Sequence, residues 1–343
     1  MISDGYDATS ARNLIAYSYA QLLGANSSIE FDFVDFYYDG EYRGTYLLCE
    51  KVQIANGRVE IEDLEEETED ANPGVDLDDA TIVEGTNSYG YEVRYALNVN
   101  NPSDITGGYL IEHENGKSRY TDEKSYFAVM TSAGIQHFVC KSPEVTSFEE
   151  IDYISCLFQD IFDAFANNGV VPTTRGSVRA GMTIDQLIDL SSSAKAYWIN
   201  EILKNADGYT ISSGYFYKDV DTKTGLTQIQ FGPMWDFDSA LGNSLDWTQG
   251  RNLLSPEGWF TKYYGVFHSV FKDEGTKEYI QSAKQEAVDT LREFINEGAL
   301  DQQMTRISAS LKMNELVWGG KDESYKDVVT WLNKRLDWVE LAA

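Results

Sequence analysis

Nowhere does the sequence hold a run of about 18 apolar residues, so a membrane-spanning helix is excluded. Cysteine and histidine are scarce. Cys49, Cys140 and Cys156 form an odd set without a CxxC pair, and the histidines are only His113, His137 and His268. Neither a disulfide framework nor a Cys/His zinc site is supported. Positive charge is short as well: 27 Lys and Arg stand against 56 Asp and Glu, for a net charge of −29. A protein whose main partner is nucleic acid brings a basic patch to the phosphates, so this balance argues against that partner. The opening MISDGYDATSARN has no basic segment followed by an apolar one, so no export signal is read in this chain. The acidity itself fits an exported or surface-displayed protein.

What is present suffices for a core. Hydrophobic residues make up 42% and aromatic residues 13%, which excludes global disorder. At roughly 100–200 residues per domain, 343 residues form one large or two modest domains. Leu14, Ile15, Leu22 and Leu23 share a helical face over Ser10–Leu23, with Gly24 as a stop. Ile29–Ile54 is rich in aromatic and β-branched residues and broken by Asp39-Gly40, the pattern of a tight β-hairpin. From Glu60 to Glu84 there are twelve acids and no Lys or Arg, which reads as a solvated loop. Calcium ligation is not adopted there, because the DxDxDG spacing is missing. Gly107–His113 and Ile135–Lys141 read as strands. Ser147–Ala166 is a strongly amphipathic helix, and Thr183–Leu203 a second helical region. A hairpin follows around Lys223-Thr224-Gly225, then helical stripes over Lys277–Asn296, Leu300–Leu311 and Tyr325–Leu341. The fold class is α+β.

Two segments carry candidate chemistry. In FGPMWDFDSALGN (231–243), Asp236 and Asp238 alternate, so both carboxylates can face one side and share a divalent cation. The bland reading is an acidic strand end packed by Trp235 and Phe237. Asp207 falls between a long helix and a strand, in a turn-forming stretch, and a carboxylate held on such a loop suits a base. Its bland reading is a turn aspartate. Order along the chain joins the two. Protein kinases need a strand Lys for phosphates, a Glu in the next helix to fix that Lys, a catalytic-loop Asp, a hairpin and a metal-binding Asp. This chain offers Lys141, then Glu149 or Glu150 in the first turn of the following helix, then Asp207, a hairpin and Asp236.

The strings DGYDATSARNLIAYSYAQLLG, DFYYDGEYRGTYLLCEKV, GGYLIE, FVCKSPE, NADGY and GPMWDFDSALGN together resemble the spore-coat protein H (CotH) family. That resemblance spans about Asp4 to Asn243, and the YxGxYLLxE and GPxWDFDxxxGN strings are specific in combination. It implies an atypical protein-kinase-like fold in a single domain over 1–343. A strand-rich N-terminal lobe would cover about 1–146, with the acidic insertion at 60–84. A largely helical lobe, about 147–343, would carry the active-site hairpin. It implies transfer of the γ-phosphoryl group of ATP, with Mg²⁺ or Mn²⁺, to Ser or Thr of exported proteins, at an extracellular, cell-surface or spore-coat address. By residue, Asp207 matches the catalytic-loop Asp and Asp236 the metal-binding Asp. Trp235 is placed to stack on adenine, and Asp238 offers a second carboxylate to the metal.

The chain departs from the ordinary kinase pattern at several points. No GxGxxG loop lies ahead of Lys141, and Ser212 stands where kinases place a metal-binding Asn, with Asn205 or Asn243 as stand-ins. Arg12, Arg43 and Lys51 rival Lys141 as the phosphate-contacting cation, each more often a surface charge, and Glu50 is an ion-pair partner for Arg12 or Lys51. The alternative function is a non-catalytic coat or surface assembly or adhesion module, a pseudokinase.

Overall fold

The computed structural model describes residues 1–3, 5–223, 225–243, 248, 250–319 and 323–342. Thr224, at the tip of the expected second hairpin, lies outside them. In chain order the elements are β1 (Ile2–Ser3), α1 (Arg12–Leu22), β2 (Phe31–Tyr38), β3 (Glu41–Cys49), α2 (Leu64–Ala71), β4 (Ile82–Thr86), β5 (Glu92–Ala96), β6 (Tyr109–His113), α3 (Lys117–Tyr120), β7 (Tyr126–Thr131), β8 (Gly134–Ser142), α4 (Phe148–Ala166), α5 (Ile184–Leu187), α6 (Leu190–Leu203), β9 (Gly214–Lys218), β10 (Gln230–Met234), α7 (Gly265–Val270), α8 (Glu274–Ser282), α9 (Lys284–Asn296), α10 (Ala299–Arg306), α11 (Ser308–Trp318) and α12 (Tyr325–Leu341). This is an α+β protein, with antiparallel sheets dominating the N-terminal part and helices the C-terminal part.

The hairpin β2–β3 turns at Asp39 and Gly40, both with positive φ. A two-residue turn needs that backbone to match the twist of its strands. The larger sheet has seven strands in the order β10-β9-β6-β8-β7-β5-β4. One expectation is corrected here. The hairpin β9–β10 does not belong to a separate helical lobe, because β9 pairs along β6 from Tyr109–Lys218 to His113–Gly214 and so extends the N-terminal sheet. The acidic stretch is also more ordered than a solvated loop. Asp63 caps α2, accepting the Glu65 and Glu66 amides, and acids in a first helical turn complement its positive end. Leu64 and Leu77 are buried beneath it.

Strand alternation gives the seven-stranded sheet two unlike faces. Phe127, Phe138 and Phe216 pack on Phe158 of α4, with ring centroids 5.2, 5.0 and 5.5 Å away. Residues of the opposite parity, among them Glu112, Lys141 and Tyr215, point away from α4. That helix begins with a capping box: Ser147 Oγ accepts the Glu150 amide at 3.1 Å, and Glu150 Oε2 accepts the Ser147 amide at 2.7 Å.

In the helical part α6 is almost wholly buried and touches α1, α8, α9 and α12. Trp198 Nε1 donates to the Ile280 carbonyl at 2.7 Å, and Tyr19 Oη of α1 donates to that of Ala287 at 2.9 Å. The stripe over Lys277–Asn296 is two helices, α8 and α9, broken near Ala283, and Ile307 separates α10 from α11. Glu201 of α6 and Arg335 of α12 form an ion pair at 2.8 Å with both side chains fully buried.

Candidate functional site

The loop after α6 and the loop after β10 are stitched to each other. Leu241 N donates to the Leu203 carbonyl at 2.7 Å, and Ala206 N to that of Ser239 at 3.2 Å. Between them stands Asn205, whose Nδ2 donates to the Asp236 carbonyl and whose Oδ1 accepts the Asp207 amide, each at 3.1 Å. Asn200 Oδ1 receives a second bond from the same Nδ2 at 3.1 Å. The chain must pass very close here. A Cβ on Gly208 would meet Asn200 Oδ1 at 2.4 Å and Asn205 Nδ2 at 2.8 Å, so only glycine fits without displacement.

The helix α1 holds the second loop from the other side. Asn13 Oδ1 accepts the Phe237 amide at 2.8 Å, and Arg12 Nε donates to the Ala240 carbonyl at 3.1 Å. Arg12, read as a surface charge, is fully buried and bound to Asp7 at 2.6 Å and Glu323 at 2.8 Å. Glu50 pairs with neither Arg12 nor Lys51; its carboxylate faces Arg58 at 3.8 Å. Strand β10 stops at Met234, and Asp236 takes a left-handed backbone with φ +60°. Aspartate tolerates that conformation better than most residues, and the kink ends regular alternation right after Trp235. Phe237 then drops into the core, while Trp235, Asp236 and Asp238 remain partly exposed.

Asp207, Asp236 and Asp238, separate in sequence, therefore lie in one electrostatic field. Burial pushes the Asp236 carboxyl up to about 7, with the charges of Asp238 and Asp207 adding to it. The Asp238 carboxyl is raised too, first by burial, with Asp207 and Asp7 adding against the hydrogen bond from Ser239. Asp207 is buried. Ser212 Oγ donates to its Oδ1 at 2.5 Å and Ser213 Oγ to its Oδ2 at 3.4 Å. Asn243 Nδ2 is taken by the Asp238 and Tyr6 carbonyls, at 2.6 and 2.7 Å. The amides of Asn205 and Asn243 thus brace the loops rather than point at a ligand.

The burial of Asp236, with its charged neighbours adding, has a consequence for stability. The native Asp236 carboxyl keeps its proton up to about pH 7, whereas an unfolded one loses it near 3.8. Its burden on the fold is therefore absent below pH 4 and complete above pH 7. Asp236→Asn is expected to raise the melting temperature by a few degrees at pH 8 without metal, the gain fading as pH falls toward 4. Thermal melts of both proteins from pH 4 to 8 check this; an equal or lower melting temperature for the variant at pH 8 would contradict it.

Trp235 is half-buried and lies beside Tyr17 of α1, with centroids 6.2 Å apart at 24°. The Tyr17 hydroxyl is buried and faces the Asp236 amide. Burial pushes its pKa up most, Cys49 next, and Asp236 and Asp238 add further. Nothing in the sequence pattern of α1 singled Tyr17 out.

The pairing expected for Lys141 is corrected. Its ammonium binds Glu123 at 2.8 Å and Glu112 at 4.0 Å, not Glu149 or Glu150. Glu150 is spent on the capping box and on Thr68 Oγ1 at 2.7 Å, while Glu149 is exposed on the first turn of α4. The reason is the sheet: α4 covers the face opposite Lys141. Glu112, beside Lys141, is pushed up to about 7 by burial, with Lys141 acting downward and Glu114 upward.

Among the described residues, no group of three or more His, Cys, Asp or Glu side chains is gathered closely enough to form a metal cage by itself. A Mg²⁺ carried by a nucleotide needs less, one or two carboxylates besides phosphate oxygens and water. Asp236 and Asp238 fit that demand: they are two neighbouring, partly exposed carboxylates, each raised by burial and by the charge of Asp207. A cavity of about 270 Å³ lined by Thr9, Asn314, Trp318 and Tyr325 is a separate feature, formed by the N-terminal segment, α11 and α12.

Fold and site together define an α+β protein with three aspartates, Asp207, Asp236 and Asp238, on two loops braced against each other. A scan against protein-family models finds no match for this sequence, and a search of curated proteins finds none.

Proposed function

We propose that this protein is an atypical, metal-dependent protein kinase that transfers the γ-phosphoryl group of ATP to Ser or Thr of exported or surface proteins. The observation that carries the reading is the stitching of the Asp207 loop to the Asp236–Asp238 loop, in which Asn205 bonds both the Asp207 amide and the Asp236 carbonyl and Ala206 N donates to the Ser239 carbonyl. Asp236 and Asp238 would hold Mg²⁺ or Mn²⁺, whose chemistry when bound is to neutralise phosphate charge. Trp235, half-buried beside those carboxylates, offers its ring to adenine. Asp207 accepts the proton of the acceptor hydroxyl, and Asn205 and the two serines fix the orientation of its backbone and carboxylate. Phosphoryl transfer asks mainly for position and charge neutralisation, which rigid loops supply. Lys141, held by Glu112 and Glu123 on the sheet, is given no phosphate contact in this reading.

The Ser212 hydroxyl on Asp207 is the observation that favours the second reading, a non-catalytic coat or surface assembly module in which the trio is structural. One experiment separates the two. The chain is incubated with [γ-³²P]ATP, Mg²⁺ or Mn²⁺ and dephosphorylated casein. Label is expected on casein serine or threonine, and chelation should remove it. Absence of label with either metal would favour the assembly module.

A further inference from the structure

The proposed transfer needs a cation at the phosphoryl group. Of the residues expected to supply it, Lys141 is held by Glu112 and Glu123, Arg12 lies in the core, Arg43 pairs with Glu41 at the surface and Lys51 is exposed. Arg119 is paired too, with Glu114, but its Nη1 reaches the hydroxyl that is bonded to Asp207. We propose that Arg119 is the catalytic residue that meets the transferred phosphoryl group, an inference that rests on the phosphotransfer reading above.

Arg119 sits on the short helix α3, between β6 and β7, and the surrounding chain fastens it to the base-bearing loop. Asn115 N donates to the Ile211 carbonyl at 2.8 Å, which joins this segment directly to residues 207–213. Asn115 Oδ1 also meets His137 Nδ1 of β8 at 2.9 Å, and the Tyr120 ring stacks on His137 with centroids 4.0 Å apart at 8°. Glu114 Oε2 holds Arg119 Nε at 2.8 Å, while Glu114 Oε1 accepts the Gly116 amide at 2.8 Å. The side chain is thereby anchored at its root, on a platform shared by the sheet and the loop of Asp207.

From that anchor Nη1 reaches Ser212 Oγ at 3.4 Å, and Ser212 Oγ is 2.5 Å from Asp207 Oδ1. One hydroxyl therefore separates the guanidinium from the proposed base. The Arg119 side chain is 60% exposed, so the rest of its donor fork faces water and is open to a ligand. Its charge also acts on Glu112 and on Tyr215, and Tyr215 in turn responds to Asp236. A planar fork of N–H donors suits two oxygens of one phosphoryl group, and it keeps its charge at any working pH. In the step itself the acceptor oxygen bonds to the γ-phosphorus while that phosphorus parts from the β–γ bridging oxygen. ADP leaves with the electron pair, the acceptor proton passes to Asp207, and Arg119 neutralises charge without exchanging a proton.

The test compares the parent, Arg119→Ala and Arg119→Lys in label transfer from [γ-³²P]ATP to dephosphorylated casein, with thermal melts in ATP plus Mn²⁺. Loss of a charge-stabilising donor is expected to lower kcat by about 10²-fold in Arg119→Ala. Its KM for ATP and its ATP-induced rise in melting temperature should stay at parental values, with Arg119→Lys recovering part of the rate. A kcat for Arg119→Ala close to the parent's overturns the assignment. So does loss of the ATP-induced melting shift, which would make Arg119 a ground-state nucleotide or structural residue. A parent that neither transfers label nor melts higher with ATP and Mn²⁺ strikes instead at the phosphotransfer reading, and this assignment goes with it.

Discussion

Asp207→Asn is expected to lower phosphoryl transfer by about 10²–10⁴-fold, the usual cost of removing a positioned base, while ATP and metal still bind. The substitution keeps size and hydrogen-bonding reach, so Asn205 can still accept the residue 207 amide, and the Asn200–Asn205 bracket with its close pass at Gly208 is undisturbed. What disappears is the carboxylate that Ser212 and Ser213 orient. Its charge also weighs on Asp236 and Asp238, so the variant should hold a divalent cation no better than the parent yet melt no lower without one. Transfer kinetics and ATP-dependent melts, run side by side, check the split. Full transfer activity in Asp207→Asn would remove the base from the mechanism and leave Asp207 as a turn residue.

The largest expected effect on stability lies at Arg335. Its guanidinium donates to Glu201 Oε1 and to the Glu201 carbonyl at 2.8 Å, and to the carbonyls of Pro256 and Gly258 at 3.0 and 2.8 Å. Glu201 in turn accepts the Phe260 amide at 2.8 Å and the Lys262 amide at 3.2 Å. Lys204 completes the anchorage, donating to the carbonyls of Asn252, Ser255 and Glu257. The stretch from 252 to 260 is thus held by buried charges rather than by secondary structure of its own. Arg335→Leu strands a buried carboxylate and several carbonyls, and breaking such a pair from one side costs about 3–5 kcal/mol. The midpoint of urea unfolding should fall accordingly. Adding Glu201→Leu should restore part of the loss, since the stranded charge is then gone while the carbonyls at 256 and 258 remain unserved. A loss below about 1 kcal/mol, the scale of an exposed ion pair, would show that water reaches this pair.

Local chemistry made some of the fold readable from the amino acids. Asp39-Gly40 supplies the positive-φ pair that its hairpin demands, and Ser147 with Glu150 spells a capping box before an apolar stripe. Strands β4, β5 and β7 carry no legible signal, because short strands owe their existence to neighbours across the sheet more than to their own residues. The joints at Ala283 and Ile307 carry no glycine or proline, so continuous stripes there look like single helices. The site divides in the same way. Asp207, Asp236 and Trp235 are marked by their turns and by the string around them. The partner of Lys141 depends on strand order and on which face α4 covers, and neither is written in spacing. Asn205 is legible as an amide near Asp207, but its bracing of the two loops is not; Tyr17 and Arg119 meet distant segments, which no local pattern announces.

The proposed role of Asp236 and Asp238 is to hold a metal–nucleotide complex, and Mn²⁺ binding reads that directly. Electron paramagnetic resonance of free Mn²⁺, titrated with the protein and a non-hydrolysable ATP analogue, should show one ion bound per chain in an analogue-dependent manner. The bound ion should be lost in Asp236→Ala. Mn²⁺ left free in the presence of the analogue, or bound equally by Asp236→Ala, would contradict the account.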